Sequence, residues 1–143
     1  MKKFEFSLDT VLRLRESEER EWENRLTAIT GECARIKRNI GNFTLEKNGC
    51  ALNNQFRDIS TLMAISNYQA RMDQDIKSAY QMLRVKEKER ESVLKDFIEA
   101  SKKRKILEKL KEKKLEEYHS LSMKDEAKRI DDINNSKWAG KAQ

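Results

Sequence analysis

The chain has 143 residues, with 31 Lys and Arg against 25 Asp and Glu, four Gly, no Pro and a formal net charge of +6; its mean hydropathy is −0.93. An average chain of this length carries about seven prolines and about ten glycines, so the punctuation that sheets and barrels require is missing. With 39% charged and 37% apolar residues, a core of ordinary size would be hard to fill, and most enzyme folds are excluded with it.

The first predicted element starts after Ser7, a residue suited to cap a helix. Alternating steps of four and three give Leu8, Leu12, Arg15, Glu19, Trp22, Leu26, Ile29, Cys33, Ile36, Ile40, Phe43, Lys47 and Cys50, of which ten are apolar. Such a spacing, held over six heptads, marks the seam of a coiled coil. Gly31 and Gly41 lie inside this helix as weak points or as sites of close approach. Cys33 and Cys50 are 17 residues apart, too far along one helix to bridge, so both are expected as reduced, buried thiols.

The pattern fades through 51–60, where Asn, Asp and Ser can bond to local backbone; the reversal is predicted at about 54–60. Asp58 or Ser60 caps a second helix, whose series runs Leu62, Ile65, Gln69, Met72, Ile76, Ala79, Leu83, Lys86, Arg90, Val93, Phe97, Ala100, Arg104, Leu107, Lys111, Lys114, Tyr118, Leu121. Lys and Arg at these positions can bury their stems while the charge reaches water. The helix is predicted to stop near His119–Ser122 or Asn134–Ser136, leaving a frayed tail. The expected fold is all-α, one domain over residues 1–143: helix 1 over about 8–53 and a longer helix 2 over about 61–121 or beyond, folded back as an antiparallel coiled coil. Partner numbers should sum to about 115, placing Ile36 against Ala79 and Phe43 against Met72.

Candidate chemistry is sparse. The single histidine, His119, has only Glu116 at helical spacing, too few ligands for zinc; no phosphate loop, Cys-x-x-Cys or nucleophile–base arrangement occurs. No catalytic, metal or cofactor residue is expected. No apolar run is long enough to span a membrane and the start lacks a secretory pattern, so a cytoplasmic protein is expected. Phe4 and Phe6 either pack on the second helix near Leu110 and Leu115 or form a docking tip. The strongest local feature is 102–114, eight basic residues against two acidic, whose net +6 equals the formal charge of the whole chain. It reads as a solvated helix face, as a surface for an acidic protein, or as a binder of phosphate backbones, though no aromatics interleave it for base stacking. An overhanging second helix also leaves Leu121 uncovered, which invites self-association.

Both ends resemble one family. Phe4-Glu5-Phe6-Ser7-Leu8, followed by Val11-Leu12-Arg13-Leu14-Arg15 and acidic residues, resembles the start of the flagellar FliJ proteins; Leu107-Glu108-Lys109-Leu110-Lys111-Glu112-Lys113 and Arg129-Ile130-Asp131-Asp132-Ile133 resemble that family's later segments. The resemblance implies a non-enzymatic stalk of the flagellar type III export apparatus, peripheral at the cytoplasmic face of the inner membrane. Its implied partners are the hexameric export ATPase and its regulator, the membrane export gate and export chaperones, with no nucleic acid and no small molecule. At the ATPase end the candidate contacts are Leu8, Leu12, Arg13, Arg15, Lys103, Lys109 and Lys113. At the hairpin end they are Phe43, Phe56, Tyr68 and Met72. A stalk of a virulence secretion system and a basic coiled coil that binds nucleic acid are the alternatives.

Overall fold

The computed structural model describes residues 2–53 and 58–141. Two helices make up nearly all of it: α1 spans Asp9–Asn53 and α2 spans Ile59–Lys141, the longer of the two. No strand occurs among the described residues. The helices pack against each other in two units, Arg20–Glu99 and Met1–Glu19 with Ala100–Gln143.

In the unit Arg20–Glu99, Cys33, Ile36, Ile40 and Leu83 form a buried cluster with Ile76 and Ala79 packed against it. Ile36 therefore does sit with Ala79. Ion pairs flank this seam: Glu32 with Lys86 at 3.0 Å, Lys47 with Asp73 at 2.5 Å and Lys37 with Glu87 at 3.9 Å. The numbers of these partners sum to between 118 and 124, above the expected 115, and the excess follows from side-chain direction. Each Cα–Cβ bond leans toward its own helix N-terminus. On antiparallel helices two long side chains therefore lean toward each other only when their backbones are offset by several residues.

In the other unit, Leu12 and Ala100 are buried. Lys111 reaches Asp9 at 3.3 Å and Arg104 pairs with Glu19 across the seam. Ahead of α1, the Tyr118 hydroxyl donates to the Lys2 carbonyl at 2.7 Å and Phe4 lies against the Tyr118 ring with centroids 5.5 Å apart. Phe4 thus packs on the second helix, one turn beyond the predicted Leu115.

Two boundaries, the start of α1 and the end of α2, differ from the sequence reading, and the Asp58 cap agrees with it. Helix α1 opens at Asp9, with Leu8 rather than Ser7 at the cap position: the Leu8 carbonyl accepts from Leu12 N–H at 2.9 Å, and a turn closed by Asp9 N–H to the Phe6 carbonyl precedes it. Helix α2 is capped by Asp58, whose Oδ1 accepts from Thr61 N–H at 2.7 Å. It runs through His119–Ser122 and Asn134–Ser136 without a break to Lys141, so no frayed tail begins at 121. The physical reason is the absence of any glycine or proline after Gly49 until Gly140; isolated Ser and Asn cost a helix only tenths of a kcal/mol each, about 0.5 kcal/mol. Finally, the predicted reversal falls mostly on 54–57, outside the described residues.

Candidate partner-binding surfaces

Basic residues of 102–114 divide into two sets. Arg104, Lys111 and Lys114 are paired, with Glu19 and Glu108, with Asp9, and with Glu117 respectively. Glu108 first, and Glu19 after it, raise the affinity of the Arg104 guanidinium for its proton. Lys102, Lys103, Lys105, Lys109 and Lys113 are exposed, with no carboxylate partner among the described residues. On a helix turning about 100° per residue, Lys102, Lys105, Lys109 and Lys113 fall in one stripe away from the side that meets α1, and Lys103 stands apart from it. Ile106, 66% exposed, lies in the same stripe.

The other residues expected at this end have mixed placements. Leu8 is on the surface, whereas Leu12, 4% exposed, is buried against α2. Arg13 is solvent-facing, bridged to Asp9 at 3.2 Å, and Arg15 is half-buried with Glu18 at 3.0 Å. Val11 and Leu14 add exposed apolar surface that the seam pattern does not single out.

Toward the start of α2, Tyr68 is at the surface with its hydroxyl 3.5 Å from Glu46 Oε2. Desolvation, and after it the Glu46 charge, holds the phenol above its ordinary value. Met72 is buried in the seam and Phe56 lies outside the described residues. Phe43 is half-buried and lines an open groove of about 630 Å³ with Ile36, Ala79, Met82 and Val85. Met82 and Val85, both mostly exposed, escaped the sequence reading because they flank the stepped positions Leu83 and Lys86; the detectable signal was an apolar pair three residues apart off the seam.

Cys33 is buried as expected, whereas Cys50 is only half-buried; neither is in a disulfide. His119 has the Tyr118 ring beside it at 5.9 Å. Among the described residues no three His, Cys, Asp or Glu side chains come together as metal ligands, and no helix is long and apolar enough to cross a membrane.

The family model of the flagellar FliJ protein matches residues 4–143. The chain belongs to that family. No curated relative and no solved structure matches it. Membership carries a flagellar export role of the stalk type, in a family of non-enzymatic, chaperone-like structural proteins, and interaction with components of the export apparatus.

Proposed function

We propose that the chain is a cytoplasmic stalk that couples the flagellar export ATPase to the membrane export gate by contact alone. The observation that carries this reading is the lysine stripe at 102, 105, 109 and 113 in a chain of this family: charges without internal partners are available for an acidic ring. Leu8, Arg13 and Lys103 flank that surface on the proposed ATPase side. Leu12 and Arg15 serve it indirectly, Leu12 by packing in the seam and Arg15 by its bridge to Glu18. Phe43, Tyr68 and the groove beside Phe43 form the proposed gate-facing surface, with Phe56 assigned to it from its sequence position and Met72 supporting it from within the seam. The regulator of the ATPase and export chaperones complete the set of proposed partners.

Co-purification with an export ATPase tests the first half. Lys102, Lys105, Lys109 and Lys113 changed together to Glu should abolish the complex and any stimulation of ATPase assembly while leaving helix content intact. Retention of both would overturn the assignment. The same variant titrated with RNA over a range of salt covers the one competing use of a basic stripe: tight, salt-steep binding by the parent chain would favour nucleic acid.

A further inference from the structure

Helix α2 continues to Lys141 beyond Tyr118, where its contacts with the N-terminal segment end. From 119 to 141 every residue is exposed except half-buried Ser122. Most helical stability in proteins comes from packing of an apolar face, and this stretch carries apolar residues in a pattern. At about 100° per residue, Met123, Ala127, Ile130, Ile133 and Trp138 fall within an arc of about 140°. Met123, Ile130, Ile133 and Trp138 are 73, 54, 55 and 77% exposed. The arc is turned by about a third of a revolution from Tyr118 and Ser122, which mark the side toward α1. It is therefore a second face rather than the seam running on.

We propose that this face is covered by the same segment of a second copy, running antiparallel. Met123, Ala127, Ile130 and Asn134 follow the four-three steps of a coiled-coil core, with Lys124 and Asp131 along one flank and Glu126 and Ile133 along the other. Antiparallel helices bring identical flanks together. With Ala127 facing Ile130 of the second copy, Lys124 comes beside the second copy's Asp131, while the other flank sets Glu126 near its Ile133. Two-fold symmetry repeats the Lys124–Asp131 pair, so two opposite-charge contacts form. A parallel arrangement would instead set Glu126 beside Asp131, like against like.

Length agrees with this register. It places Tyr118 of one copy opposite residue 139 of the other, so the overlap ends where the covered part of each chain begins. The contact is self-complementary and closes as a dimer. Four core layers bury on the order of 1,000 Å², the lower edge of specific interfaces, so dissociation falls in roughly the micromolar range. The inference does not depend on the export reading.

Sedimentation of the full chain from about 1 to about 300 µM should show a monomer–dimer equilibrium. Ile130→Glu should raise the dissociation constant at least about tenfold with helix content unchanged. Asp131→Lys should weaken the dimer, and the swapped chain Lys124→Asp with Asp131→Lys should restore it. In a Cys33→Ala, Cys50→Ala background, equal mixtures of Met123→Cys and Asn134→Cys chains should give the mixed disulfide and little of either homotypic one. A monomer throughout, a dimer indifferent to Ile130→Glu, predominant homotypic disulfides, or association that grows beyond two copies would each overturn the proposal.

Discussion

Arg104 of α2 donates to the Glu19 carboxylate on α1 at a charged layer of the seam, and their side chains are only 21% and 16% exposed. Arg104 has a second acceptor, Glu108 at 2.6 Å, while Glu19 has no other cationic partner among the described residues. Removing the cation should therefore hurt more than removing the anion. Arg104→Leu strands a largely covered carboxylate and should lower stability by roughly 1–3 kcal/mol, with Glu19→Leu costing less. The double replacement should return to within about 1 kcal/mol of the parent or exceed it, as ion pairs replaced by apolar residues commonly do. Thermal or urea unfolding of the four chains measures this cycle; equal losses from the two single changes would contradict it.

Gly31 and Gly41 have nothing within 4 Å of the position a Cβ would take, so neither is a site of close approach. Gly31→Ala and Gly41→Ala should each stabilise the chain by up to about 1 kcal/mol through helix propensity alone. The gains should add, because the two sites are about 15 Å apart along the helix. A loss of stability at either, seen by urea denaturation, would mean that the space is used.

Asp58 caps α2, and its carboxyl is held below the ordinary value by the Thr61 hydroxyl and then the Thr61 N–H. A lowered folded-state value means that the stabilisation is fully present above the unfolded value near 3.8 and fades as pH falls through the folded one. Asp58→Ala should accordingly melt below the parent at neutral pH, with the gap narrowing in acid. A gap that stayed constant down to pH values of about 2 would show that the charge plays no part.

Cys33, 2% exposed, should react with a thiol reagent only as fast as the unit Arg20–Glu99 opens. Cys50, at half-burial, should react sooner. Mass-resolved labelling of the native chain distinguishes the two thiols, and prompt modification of Cys33 would be incompatible with the packing of Ile36, Ile40 and Leu83 around it.

All nine residues buried among those described, from Leu12 through Cys33 and Met72 to Ala100, lie on the two stepped series, because a seam between helices leaves a periodic trace that one sequence reveals. What escaped was local or relational. Ser7 has a capping side chain but Leu8 occupies the cap, since chain entry is fixed by Phe4 against Tyr118. The Ser and Asn residues at 119–122 and 134–136 are too weak to stop α2, so the helix runs past both expected ends to Lys141. The division of lysines into paired and unpaired sets depends on which carboxylates the opposite helix brings within reach. Composition supplies the charge of the stripe but not that pairing, so Lys102 and Lys105 were passed over while Lys103 was chosen.

The contact of Tyr118 with Lys2 and Phe4 makes one phenol ring the border post between shielded and bare helix. Erasing it would leave the strip upstream of Asp9 without its anchor and lengthen the bare stretch at the expense of the shielded one. How much of α2 this chain offers to its surroundings is thereby adjustable at a single aromatic.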